Sequence, residues 1–185
     1  MGIRETLNTH PGLVAGTAIV LALLAVGVLV WSAADRGPTF AGGMYYYDME
    51  ADALFVAEPG QFPPIPAPSG ERAGVRAHVF GCGPGDCPGA RRLAGKSWQQ
   101  IESETDAFVG YFQRYTDEAQ RFITRAMDED DPPVDQMQQA EARGLLVRAP
   151  GDTEWVAQHS VRGGQIVDQA AQRCDDPRSL RRCDP

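Results

Sequence analysis

Twenty consecutive positions, 12–31, carry no charge and no strongly polar side chain except Thr17. Beyond them, apolar and polar residues alternate in short runs. At about 1.5 Å of rise per residue, about twenty apolar positions span the roughly 30 Å hydrocarbon core of a bilayer. Trp31 closes the run where an aromatic residue meets the headgroups. The small residues Ser32–Ala34 would suit a signal-peptide cut, but the apolar core is longer than the usual ~7–15 residues. The pattern therefore predicts a short tail over 1–11, an uncleaved transmembrane anchor over 12–33 and a juxtamembrane linker over 34–43. A soluble domain follows over 44–185. No cysteine lies just after the apolar run, so a lipoprotein is not indicated.

Within the soluble region, 44–47 and 53–57 are β-prone runs separated by the polar segment 48–52, which predicts a hairpin. Side chains alternate along a strand, so Tyr45 and Tyr47 share one face and Tyr46 takes the other. The segment 58–71 carries five prolines and is expected as a connector on the domain surface, with polyproline II geometry over 63–68. A strand over 74–80 places Val75, Ala77 and Val79 on one face, with Arg76, His78 and Phe80 on the other.

Ser97 and Gln100 form a capping box. Trp98, Ile101, Phe108, Phe112 and Tyr115 then recur near helical period, although 106–112 also fits a short strand and Gly110 weakens a helix. Thr116 starts a helix with an apolar stripe of Ala119, Phe122, Ile123, Ala126 and Met127. The acidic run 128–133 stops it and lacks the spacing of a calcium loop. A short helix over 134–143 ends at Gly144 as its C′ residue. Strands over 145–148 and 154–161 flank a turn, and Ile166 and Val167 mark a further strand or short helix. The fold class is α+β: one N-terminal transmembrane helix, then a small mixed domain with strands near both ends and helices in the middle.

Charge alters this picture in two ways. The formal net charge of −8 argues against nonspecific binding to nucleic acid or anionic lipid. Flanking charge is nearly balanced, with Arg4 before the apolar run and Arg36 after it among several acids. With the amino terminus, it favours a cytoplasmic N-terminus and an extracytoplasmic domain.

Candidate chemistry is sparse. No nucleophile elbow, phosphate loop, dinucleotide fingerprint or His-Glu-x-x-His motif occurs. His159 and Ser160 are adjacent, and on a strand they would point to opposite faces. No enzyme activity, small-molecule substrate or catalytic residue is expected. The four cysteines fall as Cys82-x4-Cys87 and Cys174-x8-Cys183. In an extracytoplasmic domain they are disulfide candidates. The pairing is open between two local bridges and bridges that staple the tail onto the Gly-rich loop. In a cytoplasm-facing domain the same four residues, or a set including His78, are alternative zinc ligands. Without zinc no cofactor is expected.

The stretches "YYYDMEADALFV", "GVRAHVFGC", "YFQRYTDEA" and "LLVRAPGDTEW", with the cysteine-pair tail, span most of the chain. With these marks it resembles a group of uncharacterised bacterial single-pass membrane proteins. The resemblance implies an anchored domain with paired cysteines and carries over no catalytic residue. The expected function is a membrane-anchored, extracytoplasmic structural or protein-interaction domain at the bacterial inner membrane. It meets lipid through 12–31 and an unidentified protein partner through the domain, with no nucleic acid. The alternatives are a cytoplasm-facing zinc-binding domain and a membrane-tethered winged-helix-like regulator. The last is suggested by "EARGLLVRAPGDTEWVA", with Arg143 and Arg148 beside a hairpin.

Overall fold

The computed structural model describes residues 42–128 and 133–185. The anchor expected over 12–33, the tail before it, most of the linker and most of the acidic loop lie outside the described residues. Among the described residues no helix is long and apolar enough to cross a membrane. The described chain is α+β. Its strands are β1 (Met44–Asp48), β2 (Ala53–Ala57), β3 (Ile65–Ala67), β4 (Gly70–Gly81), β5 (Ala107–Tyr115), β6 (Leu145–Arg148), β7 (Val156–Ala157) and β8 (Arg181–Arg182). Its helices are α1 (Ala90–Leu93), α2 (Trp98–Glu104), α3 (Asp117–Met127), α4 (Val134–Gly144) and α5 (Val161–Gln172), with a 3₁₀ turn over Pro177–Ser179.

All strands join one antiparallel sheet in the order β2-β1-β4-β5-β6-β7. The long β4 organises it. Arg76 pairs with Tyr46 of β1 on one edge and Gln113 of β5 on the other. Gly74 pairs with both Asp48 and Ile65, so β3 shares the β5 edge. Phe80 pairs with both Phe108 and Arg182, so β8 continues the β1 edge. The outer edge of β2 is covered by the α1–α2 link: Leu54 donates its amide to the Lys96 carbonyl and accepts from Gly95. Covering an edge in this way removes a template for intermolecular pairing.

The β1–β2 hairpin forms as the sequence indicates, with Asp48 opposite Ala53. Asp48 is buried, and its carboxylate accepts from the Glu50 and Ala51 amides and from both the amide and hydroxyl of Ser69. Burial alone would raise its pKa. The hydrogen bonds led by the Ser69 hydroxyl outweigh that and hold the carboxyl below its ordinary value. Tyr45 and Tyr47 join Val75, Ala77 and Val79 on one face under α1 and α2, whose Leu93 and Ile101 are fully buried. Tyr46 faces the other way, stacked on Phe55 and equally buried.

Four expectations change. The aromatic run 107–115 is not a continuation of the helix but the strand that 106–112 also fitted, extended to Tyr115. α2 keeps its capping box at Ser97 and Gln100 but ends at Glu104. In β5, Val79 pairs with Val109 and His78 with Tyr111, leaving Gly110 as an extra residue. That bulge resets the alternation, so Ala107, Val109 and Phe112 face the first core while Phe108 and Tyr111 face the second. Gly110 is also crowded: a Cβ there would lie 2.7 Å from the Phe80 ring and 2.8 Å from the Ala170 Cβ.

The proline-rich segment is not a surface connector throughout. Pro63, Pro64 and Ile65 are buried, and Ile65–Ala67 pairs with β4. The Gln120 side-chain amide, from α3, donates to the carbonyls of Phe62 and Pro64 at 2.7 and 2.6 Å. The strand expected over 154–161 shrinks to β7. Ser160 instead caps α5, accepting from the Gly163 amide and donating to the Ala157 carbonyl.

Gly144 is not a left-handed cap but the last residue of α4, where a Cβ would collide with the Ala119 Cβ of α3. This contact lets α3 and α4 close over Tyr115, Ile123, Phe62 and Met137, while Met127 of the expected stripe is exposed. Gly144→Ala is expected to cost about 1–3 kcal/mol through overpacking. Gly164→Ala, in α5 with nothing within 4 Å of the new methyl, is expected to stabilise by up to about 1 kcal/mol. Urea unfolding of both variants checks this, and an unperturbed Gly144→Ala protein would refute the close-approach explanation.

Candidate functional site

β4 ends at Gly81 because the chain must turn sharply there: a Cβ on Gly81 would lie 2.7 Å from the Asp86 Cβ. The turn carries Cys82 and Cys87. The tail returns to the same corner after α5. Its 3₁₀ turn is capped by the Asp176 side chain, which accepts from the Arg178 amide. β8 then pairs with Phe80 and Gly81, and the Cys183 amide donates to the Val79 carbonyl at 2.9 Å.

This brings the four predicted cysteines together in two bridges, Cys82–Cys174 and Cys87–Cys183, spanning 92 and 96 residues. Both bridges staple the tail to the loop, and neither local pairing occurs. They also divide between the faces of the sheet. Cys82–Cys174 packs with Phe108, Ile166 and Leu180 on the α5 face, and Cys87–Cys183 with the core beneath α1 and α2.

The zinc reading of Cys82, Cys87, Cys174 and Cys183 is corrected on the same observation. Each sulfur is bonded to another sulfur and offers no thiolate. Among the described residues no group of three His, Cys, Asp or Glu side chains is placed to hold a metal ion. His78 is not a ligand either. Its ring is buried, stacked on Tyr111 at 4.2 Å, with Nε2 3.2 Å from Gln113 Oε1. Gln113 in turn donates to Gln158 Oε1 at 2.7 Å. Burial pushes the His78 pKa down to about 3, helped by Arg182 and Arg76 and opposed by the Gln113 hydrogen bond. The imidazole is therefore neutral at ordinary pH.

The adjacent pair His159 and Ser160 lies in the exposed turn before α5, and the Ser160 hydroxyl is held in the helix cap. The segment suggestive of a winged helix runs from the end of α4 through β6 and a turn to β7. Arg148 stands opposite Phe112 with its guanidinium over that ring at 5.6 Å, and Trp155 covers it at 5.0 Å. Arg143 lines a cavity of about 580 Å³ between α3 and α4 whose other charged lining residue is Glu118.

No protein-family model, curated protein sequence or solved structure matches this chain.

One cluster has no counterpart among the expected sites. Arg114 lies two residues beyond Phe112 on the same face of β5, and its guanidinium is 4.7 Å from the Trp155 ring centroid. The indole thus contacts two arginines from neighbouring strands. Met49, whose sulfur lies 3.5 Å from Arg148 Nη2, and Trp98 complete the surroundings on this face. The signal for this cluster was present in the period of two along 112–114. It emerges only when that run is read as a strand.

Proposed function

We propose that this chain is a single-pass bacterial inner-membrane protein. Its disulfide-stapled α+β domain stands outside the cytoplasm as a structural or protein-interaction module and performs no catalysis. The observation that carries the reading is the pair of bridges, Cys82–Cys174 and Cys87–Cys183, which consume every cysteine of the chain. Structural disulfides form and persist in oxidising compartments, while cytosolic thiols are kept reduced. The charge-free run 12–31 supplies the anchor in this reading. The non-catalytic assignment is supported by two placements: the Ser160 hydroxyl caps a helix and His78 is sealed in the core.

A C-terminal fusion to alkaline phosphatase, which needs an oxidising compartment, tests the topology. It is expected to be active in membranes, and thiol-reactive polyethylene glycol should label the chain only after reduction. An inactive fusion together with four labelled cysteines in unreduced cells would overturn the proposal.

A further inference from the structure

Arg114 and Arg148 are two cations on one face of the sheet, and neither has an ion-paired carboxylate among the described residues. The register of β5 on β6 places Arg148 opposite Phe112 and Arg114 opposite Leu146, so both side chains leave the same face. Trp155 contacts both guanidiniums. Cation–π contact explains the stacking. It does not satisfy the Nε–H donor of either arginine. The Nε atoms of both are buried and without a partner among the described residues, and the sulfur of Met49 is a weak acceptor.

Among the described residues, the carboxylates whose charge reaches the pair are each held by another arginine. Asp117, near Arg114, is held by Arg72 at 2.5 Å. Asp152, near Arg148, lies 3.7 Å from Arg162, which also holds Glu154 at 2.9 Å. Burial depresses the pKa of both guanidiniums, and for Arg148 the charge of Arg114 adds to the effect. Two partly desolvated arginines with no ion-pair partner among the described residues are an unfavourable arrangement for the isolated domain. An incoming anion relieves it.

We propose that the Arg114–Trp155–Arg148 face docks an acidic segment of a partner protein, a carboxylate of which closes the guanidinium pair. This rests on the interaction-module reading above and names the partner's chemistry. The side chains around the pair favour a polypeptide over a free inorganic ion. Met49, Trp98 and Trp155 are partly exposed, and Trp, Met and Arg are the residues enriched at protein interfaces. A small ion uses none of that apolar area.

The full-length protein in detergent is titrated with a hexaglutamate peptide at low ionic strength, followed by calorimetry and tryptophan fluorescence. Saturable binding that weakens with salt is expected. The emission change should shrink in Trp155→Phe and vanish when Trp98→Phe is added, while calorimetry still detects binding. Arg114→Gln with Arg148→Gln should weaken binding by roughly a hundredfold, about tenfold for each charge. Arg178→Gln in the tail should leave it unchanged. The double variant without peptide should melt at the same temperature as the wild type or higher, because mutually repelling charges have been removed. If that variant does not fold, Arg148→Lys reports instead: it keeps the charge, loses the planar fork and should bind about tenfold more weakly. The proposal is overturned by absence of saturable binding, by full affinity in the arginine variants, or by inorganic phosphate that saturates the same signal and displaces the peptide. These readouts do not depend on membrane topology, so they fail independently of the reporter test.

Discussion

Replacing Cys87 and Cys183 by serine is expected to cost about 3 kcal/mol, and removing all four cysteines about 7–8 kcal/mol. The inequality follows from topology. The bridges enclose nearly the same stretch, with separations of 92 and 96 residues. Whichever forms first closes a loop of about a hundred residues, worth about 4.7 kcal/mol of unfolded-chain entropy. Once it exists, the second closes only the small ring built from 82–87 and 174–183. A ring of about fifteen residues contributes about 3 kcal/mol. Either pair alone is therefore backed up by the other, and Cys82→Ser with Cys174→Ser should behave like Cys87→Ser with Cys183→Ser.

Losing both bridges removes an amount comparable to the total stability of an ordinary domain, about 5–15 kcal/mol. The reduced protein should then populate unfolded states at growth temperature. At about 2–4 °C per kcal/mol for a domain of this size, either single-bridge variant should melt roughly 6–12 °C below the wild type. Thermal unfolding of the three variants measures this. Strict additivity of two equal large losses would show that the bridges do not share a loop in the way described.

Acidification from pH 6.5 towards pH 3 should destabilise the domain through His78. The folded pKa of about 3 lies below the ordinary value of 6.5, so within that window the unfolded chain binds a proton that the folded chain refuses. Stability is fully present above pH 6.5 and falls by about 1.4 kcal/mol per pH unit below it. The limiting loss near pH 3 is on the order of 4 kcal/mol. Asp48 acts in the same direction but lower down. Its folded pKa is held below 3.8, so its contribution is intact above that value and is lost only as pH falls further. Chemical unfolding between pH 6.5 and 4.5 therefore isolates the histidine. His78→Gln, which keeps an amide beside Gln113 but cannot titrate there, should flatten the slope in that interval. An unchanged slope in the variant would assign the acid sensitivity to other groups.

Several elements were legible in the sequence because their causes are local. The hairpin of β1 and β2 follows from alternation around a polar turn. Ser97 with Gln100 sets the start of α2, and Thr116 sets α3 by accepting from the Ala119 amide, within a few residues of chain. Each satisfies backbone groups from its own neighbourhood, so no distant residue has to be known. β5 was harder to read. Phe108, Phe112 and Tyr115 are spaced like a helix face, yet the extra residue at Gly110 and burial on both faces produce that spacing on a strand. The proline-rich segment likewise depends on a distant side chain, Gln120, to hold its carbonyls.

By itself the sequence determined the apolar run 12–31, the acidic balance, the caps and turns, and the presence of two cysteine pairs with no catalytic motif. The tertiary structure decided how the cysteines pair and which arginines share an indole. Both are matters of which distant strands lie side by side. Cys82 meets Cys174 because β8 and the end of α5 return to the corner where β4 ends. Arg114 meets Arg148 because β6 pairs with β5 in one register. Spacing along the chain carries no information about either meeting. They are fixed by burial of the two sheet faces, and a shift of one residue would turn every side chain to the wrong side.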